Sequence, residues 1–364
     1  MNPLEEIAHA ARRRGFFVYP APPELPRAEK AAFRSWLAGG AHAGMTWLER
    51  DVAQRLEPRR RFPWLRGVLV LAAPYASEPP PKPLGGLRLG KVARYAWVRD
   101  YHLWIEPRLR ELEKLCQKLG GECRGYVDHG PVLERAYAAL SGAGWLGRNG
   151  LWLTEQAGSY QYLAVLLTSW PVEPKAPHPS RCGSCRACVQ NCPTKAIGPG
   201  GLVDARRCLS YWTIEHRGLL PLWLWDYLGD WLFGCDDCQT ICPWNGKRPA
   251  AAAAPEPEPE LVWPDLRSFF ELSNRAFARR YAGSAFLRSG RAVLARNALV
   301  VLAGRHPEEL LDLLPQALAD PSAKVRATAA VAAARLGRLD EAERVLAGLD
   351  ESGRAYVRAA LDSS

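Results

Sequence analysis

With 364 residues, 48% hydrophobic and 24% charged, the chain can build two or three domains with substantial cores. It has no run of 18 or more apolar residues, and Met1 to Ala11 is charged and helical in pattern rather than signal-like, so a cytoplasmic protein without membrane association is expected. The formal charge of +10 is unevenly placed: residues 1–176 carry 25 Lys and Arg against 17 Asp and Glu, whereas 285–364 carry 11 against 10. A basic N-terminal region suits a polyanion such as nucleic acid, and it serves solubility equally well.

Residues 1–66 read as mainly helical, with Leu4, Ile7 and Ala8, then Phe33, Trp36 and Leu37, at helical spacing on either side of a Pro-rich turn, Pro20 to Pro26. Gly67 to Ala73 is a continuous apolar run closed by Pro74, the pattern of a strand buried on both faces. Pro79 to Gly90 predicts a surface loop. The basic and aromatic stretch after it, Lys91 to His102, fits a ligand groove, an RNA contact or a domain interface. A helix from about His102 to Leu119 leads through Gly120-Gly121 to a short strand ending at Val127-Asp128, and Gly130-Pro131 then opens a helix, Val132 to Leu140.

Asp128 thereby falls at a strand-to-helix turn, where a carboxyl group either moves protons or caps a helix. Cys116 shares a helical face with Ile105, Leu109, Leu112 and Leu119; it and Cys123 are expected as free thiols in a reducing compartment. Gly142 to Gly150 echoes a dinucleotide fingerprint only superficially, because it follows a helix. The apolar strand Tyr160 to Thr168 completes an α/β domain, 1–176, and Pro171 to Pro179 links it onward.

The next segment, 177–249, contains Cys182-Gly-Ser-Cys185-Arg-Ala-Cys188-Val-Gln-Asn-Cys192-Pro193 and its echo Cys235-Asp-Asp-Cys238-Gln-Thr-Ile-Cys242-Pro243. The first run has the spacing of bacterial ferredoxins, in which three close thiolates hold one cubane and the fourth crosses to another. Cys208 completes eight thiolates for two four-cysteine clusters. By the crossing rule Cys182, Cys185, Cys188 and Cys242 hold one cluster, and Cys192, Cys208, Cys235 and Cys238 the other. Paired zinc sites and a disulfide scaffold are the alternatives; zinc ligands usually come as separated pairs, and disulfides belong to exported chains. The aromatic residues between the runs, Tyr211, Trp212, Trp223, Trp225, Tyr227, Trp231 and Phe233, are expected mostly as core sealing the clusters from water.

Residues 250–284 form a linker and connecting helix, beginning with Ala250 to Ala254 and the Pro-Glu repeat to Glu260. From Arg291 onward the pattern is all-helical. The Asp320-Pro321 start followed by Val325-Arg326 resembles HEAT-type repeats, of which about two units fit in 285–364. Arg291, Arg296, Lys324, Arg326, Arg354 and Arg358 are candidates for one basic face.

A two-cluster module preceded by a basic α/β domain and followed by such a tail resembles the epoxyqueuosine reductases, cobalamin-dependent enzymes that complete queuosine in tRNA. Besides the cysteine array, the resemblance is carried by Val127-Asp128-His-Gly-Pro-Val-Leu-Glu134-Arg135, Gly142-Ala-Gly-Trp-Leu-Gly-Arg-Asn149, Gly158-Ser-Tyr-Gln-Tyr-Leu163, Asn274-Arg275 and Arg296-Asn297-Ala298. His129 stands where small residues are common, and the Ala and Glu-Pro linker is private to this chain.

The resemblance implies a multidomain α+β chain: an α/β cobalamin-binding domain, a bacterial ferredoxin-like two-cluster domain and C-terminal α-helical HEAT-like repeats. It implies cobalamin and two 4Fe-4S clusters as cofactors, Asp128 as the catalytic acid, and Arg55, Asp128, Trp152, Ser159, Gln161, Leu163, Ser210 and Asp236 as cobalamin contacts. The implied partners are a tRNA anticodon stem-loop carrying epoxyqueuosine, met by the basic N-terminal domain, His216-Arg217 and the helical tail, and an external electron donor; the chain itself is expected to be monomeric. Two other readings stay open at this point: a corrinoid reductase of another substrate, such as a reductive dehalogenase, and a non-catalytic electron-transfer or RNA-binding protein.

Overall fold

The computed structural model describes residues 2–75, 77–83, 89–246 and 255–362. The expected Ala250 to Ala254 linker, and 84–88 of the expected surface loop, lie outside the described residues. In chain order the first elements are α1 (Pro3–Arg13), β1 (Phe17–Ala21), α2 (Arg27–Ala38), α3 (Val52–Leu56), β2 (Gly67–Pro74), β3 (Lys91–Val92), α4 (Tyr101–Lys118), β4 (Cys123–Tyr126), α5 (Glu134–Leu140), β5 (Trp145–Leu146), β6 (Trp152–Leu153) and β7 (Gln161–Thr168). There follow α6 (Ala187–Asn191), α7 (Leu209–Ile214), α8 (Trp225–Leu228), β8 (Trp231–Phe233), α9 (Asp237–Thr240), α10 (Pro259–Val262), α11 (Ser268–Glu271), α12 (Asn274–Arg280), α13 (Phe286–Ser289), α14 (Arg291–Arg305), α15 (Pro307–Leu318), α16 (Ala323–Arg335), α17 (Leu339–Val345) and α18 (Glu351–Leu361). Among the described residues no helix is long and apolar enough to cross a membrane. The chain divides into two compact units that are discontinuous in sequence, one of 1–78, 98–206 and 236–256 and one of 79–97, 207–235 and 257–364.

The first unit is built on a four-stranded sheet of order β1-β2-β7-β4, antiparallel throughout. Gly67 to Ala73 of β2 are all buried, as the unbroken apolar run requires of a central strand. The parallel arrangement for which strand ends define a crevice is absent, so Asp128 owes its position to the turn after β4 rather than to that rule. β1 departs from the helical expectation for 1–66. Its Pro20 has no N–H for a second neighbour, which restricts it to a sheet edge, where it pairs with Leu69. Gly142 to Gly150 forms a β5-β6 hairpin with Trp145 opposite Leu153, not a strand-to-helix phosphate turn. A second correction concerns Cys116 and Cys123, which are joined in a disulfide between α4 and β4, their Cα atoms 6.1 Å apart, rather than standing as free thiols.

In the second unit α14 is buried without a break from Val293 to Leu302, and α16 from Ala327 to Ala334, so both are apolar on every side and are covered by neighbouring helices. The intercluster aromatics divide: Tyr211, Trp225 and Phe233 are core, whereas Trp223 and Tyr227 are exposed. The expected basic face loses two of its six members, Arg291 and Arg296, to the interior. Arg291 is buried in a bidentate pair with Asp320 at 2.8 and 2.9 Å and donates further to Asn274 Oδ1 and the Phe269 carbonyl. Arg296 is wholly buried, Lys324 donates to the Arg217 carbonyl, Arg326 to the carbonyls of Asp320 and Gly348, and Arg354 to that of Leu349. His216 and Arg217 are also committed inside this unit, His216 to the Leu219 carbonyl and Arg217 to those of Arg288 and Ser289. Interior carbonyls at loop ends need donors, and these cations supply them.

Candidate active site

Asp128 stands two residues past β4 with φ of 44°, a left-handed conformation that a residue other than glycine adopts only when its surroundings impose it. The surroundings here are the first turn of α4. Tyr101 donates its hydroxyl to one carboxylate oxygen of Asp128, and His102 Nε2 lies 3.1 Å from the other. His102 is itself held: Asp100 caps α4 by accepting from the His102 backbone N–H at 3.0 Å, and its same oxygen is 2.6 Å from Nδ1. With Nδ1–H donating to Asp100, the Nε2 contact to Asp128 requires one proton, carried either by the carboxyl or by the imidazole. The Asp128 carboxyl group in this cluster is half-exposed and so within reach of a substrate. Sequence reading selected Asp128 but missed Asp100, Tyr101 and His102, which lie 26 to 28 residues earlier; the only local sign was the aromatic and basic stretch that ends in them.

Behind Asp128, Arg55 of α3 donates Nη1 to the carbonyls of Gly130 and Val132 at 2.9 and 3.5 Å and so anchors the turn. Burial lowers the proton affinity of Arg55, and its Nε has no partner among the described residues. Glu134, the first residue of α5, is also buried at its carboxyl. Burial, with some contribution from Asp128, pushes its pKa up to about 7, and one of its oxygens is unpartnered.

The residues expected to contact the corrin are placed as follows. Trp152 of β6 and Gln161 of β7 are buried, and Trp152 Nε1 and Gln161 Oε1 have no hydrogen-bond partner among the described residues. Ser159 donates to Gln239 Oε1 at 2.9 Å, and Asp236 accepts from Gln239 Nε2 at 2.8 Å, so Ser159 and Asp236 meet through one buried amide. Asn245 closes the group by donating to Ser159 Oγ at 3.0 Å and accepting from its backbone N–H at 2.8 Å. The adjacent Gly158 has φ of 60°, and a Cβ there would lie 2.0 Å from Asn245 Oδ1, so only glycine permits this closure. Leu163 is half-buried on β7 opposite Ala72. Arg55, Trp152, Ser159, Gln161, Leu163 and Asp236, with Asp128, belong to the first unit; Ser210, in α7, belongs to the second.

Cys182, Cys185, Cys188 and Cys242 are brought together in the first unit around a cavity of about 190 Å³, beside Arg148, Asn149 and Trp244. Burial pushes the Cys188 thiol up, and the other three thiols add to the shift; Cys242 is pushed up by burial and by Cys182 and Cys185. Four thiols in each other's field form a poor protein interior but a ready site for a cation-rich group that deprotonates them. Cys242 thus lines the same cavity as the distant run with which the crossing rule expects it to share a cluster. Cys192 is buried, its sulfur 3.3 Å from the Ala196 N–H, and the Cys238 carbonyl accepts from Asn149 at 3.4 Å. Cys208 and Cys235 lie in the second unit, Cys208 at the N-terminus of α7 and Cys235 two residues after β8.

Both of those segments are held by α14. Arg296 uses all five of its N–H groups, on the carbonyls of Trp212, His216 and Gly218 and on Asn297 Oδ1. Asn297 in turn donates to the carbonyls of Thr213 and Leu232 at 2.9 and 2.8 Å. Sequence reading noted this Arg-Asn pair without a role for it.

A ferredoxin-like thiol array in the same chain as a held acid is the constitution of an iron-sulfur oxidoreductase. Residues 181–245 match the family described as a 4Fe-4S double cluster binding domain, and residues 55–129 match the one described as epoxyqueuosine reductase QueG, DUF1730. The epoxyqueuosine reductase of Atelocyanobacterium thalassa is 34% identical over 300 residues, covering 81% of this chain and 97% of that one. The Salmonella typhimurium enzyme of the same name is 38% identical over 281 residues, 76% of this chain and 73% of its own. A crystal structure of epoxyqueuosine reductase with a tRNA-Tyr epoxyqueuosine-modified stem loop superposes with a TM-score of 0.91 at 29% identity, covering 99% of this chain and 98% of the other. The chain belongs to the epoxyqueuosine reductase family.

Proposed function

We propose that the chain reduces epoxyqueuosine to queuosine at the wobble position of tRNA. The observation that carries this is the Asp100–His102–Asp128 arrangement with Tyr101, a proton store at the family's acid position. Opening the epoxide to an alkene and water consumes two electrons and two protons, and an alkoxide leaves poorly unless protonated. Asp128 protonates the departing oxygen, and His102, kept oriented by Asp100, returns a proton to it. Tyr101 fixes the rotamer of the carboxyl group.

The residues present fit a corrin. Arg55 Nε, Trp152 Nε1 and Gln161 Oε1 are buried polar atoms with no protein partner, and all three fall among the eight positions expected to contact it. Arg55, Trp152, Ser159, Gln161, Leu163, Ser210 and Asp236 would hold cobalamin. When bound, cobalamin supplies the low-valent cobalt chemistry of carbon–oxygen cleavage, with electrons delivered by two 4Fe-4S clusters. Cys182, Cys185, Cys188 and Cys242 ligate one cluster, and Cys192, Cys208, Cys235 and Cys238 the other, by the crossing rule. The paired helices α14 to α18 are read as HEAT-like repeats that contribute to tRNA binding. The protein acts in the cytoplasm as a monomer and takes electrons from an external carrier.

The test is to reconstitute the protein with cobalamin and iron-sulfur clusters, add reductant and epoxyqueuosine-containing tRNA, and weigh the digested nucleoside. Loss of one oxygen is expected. Unchanged nucleoside from protein fully loaded with cobalt and iron would overturn the assignment.

A further inference from the structure

We propose that a basic cleft in the first unit, where the C-terminal turn of α1 meets α4, binds backbone phosphates of the tRNA away from the reacting nucleotide. The inference rests on tRNA being the substrate. A cavity of about 460 Å³ is lined by Arg12, Arg13, Arg14, Trp104, Arg108 and Glu111. Its single carboxylate is taken, because Glu111 pairs with Arg14 at 2.8 Å, and Arg14 also donates to the Ala10 carbonyl. The Arg108 guanidinium lies over the Trp104 ring, 4.3 Å from its centre, and donates to the Trp104 carbonyl at 2.7 Å. Trp104 is backed in turn by Phe16, ring centres 5.3 Å apart. Arg12 and Arg13 are exposed and have no ion pair or side-chain hydrogen bond among the described residues.

Cations at the last turn of α1 offset the helix dipole, which accounts for Arg12 and Arg13 standing there. It does not account for Arg108 and Trp104, which come from a different helix and face the same cavity. Two uncommitted guanidinium groups beside a third held over an indole suit phosphodiester oxygens, which accept paired N–H donors. An acidic peptide would satisfy the charge but leave that arrangement unused.

The cleft is tied to the proposed chemistry by α4. His102, which touches Asp128, and Arg108 are six residues apart, about 9 Å of helical rise and about 240° around the axis. RNA whose reactive base meets Asp128 would reach the cleft by passing round α4.

The experiment measures binding of full-length tRNA by fluorescence anisotropy over a range of salt, using loaded wild-type protein and Arg12→Glu/Arg13→Glu. The double variant is expected to bind about tenfold or more weakly at moderate salt. Its plot of log affinity against log salt should be shallower by about 1 to 2, as for two lost phosphate contacts. Arg108→Lys, which keeps the charge but loses the planar fork on Trp104, is expected to bind several-fold more weakly, and thermal melting of both variants checks folding. Variants that melt like wild type and bind tRNA with unchanged affinity and salt slope overturn the cleft while leaving the substrate assignment standing. Wild-type protein that binds no tRNA at low salt overturns the substrate reading, and the cleft falls with it.

Discussion

Two buried arginines, one in each compact unit, divide the molecule by what it does with interior polarity. Arg296 is wholly enclosed, and burial lowers its pKa to about 9, yet each of its five N–H groups meets an oxygen of the protein. Arg55 is less enclosed and leaves Nε unpartnered among the described residues, and Glu134, Trp152 and Gln161 in the same unit carry atoms unpartnered in the same way. An unsatisfied buried donor costs about 1–3 kcal/mol, so a folded protein retains several in one region only where something else completes them. The second unit leaves Tyr281 Oη without a partner among the described residues but satisfies Arg296 completely as a strut; in the first, Arg55, Trp152 and Gln161 stand incompletely used at positions expected to take a ligand.

The comparison breaks most decisively at Asp128. Asp128→Asn should lower turnover by about 10²- to 10⁴-fold with cobalt and iron contents unchanged, measured by nucleoside mass and metal analysis. Near-wild-type turnover would leave the stored proton without a use. On the scaffold side, Asn297→Ala strips two N–H donors from the carbonyls of Thr213 and Leu232 and an acceptor from Arg296. We expect about 2–4 kcal/mol of lost stability in urea titrations, and iron per chain falling toward half, because the segments bearing Cys208 and Cys235 lose their restraint.

A smaller effect is expected from pH. Glu134 has a pKa near 7 in the fold against 4.5 unfolded, so folding favours its protonated form. Its contribution is complete below about pH 4.5 and is lost as pH rises through 7, a span of about 3 kcal/mol that Glu134→Gln should flatten in urea titrations taken at each pH. The smallest stability change should follow Arg55→Met, about 1 kcal/mol in cobalamin-free protein, since that arginine is incompletely used. Its cobalamin affinity, followed by absorbance titration, should nevertheless fall about tenfold, one lost charged hydrogen bond. A large stability loss with unchanged cobalamin affinity would place Arg55 with Arg296 and erase the contrast.

The parts of the site that were legible before the structure were those written in local spacing. Three cysteines at three-residue intervals and a Cys-Pro step announce a cubane because the ligands must converge within one loop, and the crossing of Cys242 follows from counting to four. The run Gly67 to Ala73 announced a central strand because only burial on both faces tolerates seven consecutive apolar or small residues. β1 was hidden by its brevity and its proline, and a strand that pairs on one side needs little more of its residues.

What sequence alone determined, then, was which groups stand as candidates for the chemistry: eight thiols, one aspartate at a turn and a helical tail. What only the tertiary structure decided was which groups are spoken for. Six arginines and lysines of the tail look alike in a charge count, and burial turned Arg291 and Arg296 into internal struts. Asp128 looked solitary until α4 brought Tyr101 and His102 to it. Cys116 and Cys123 looked like spare thiols until α4 and β4 met. The reason is the same in each case. A side chain's type sets what it can donate or accept, but whether it has done so depends on partners tens of residues away, and no local spacing records them.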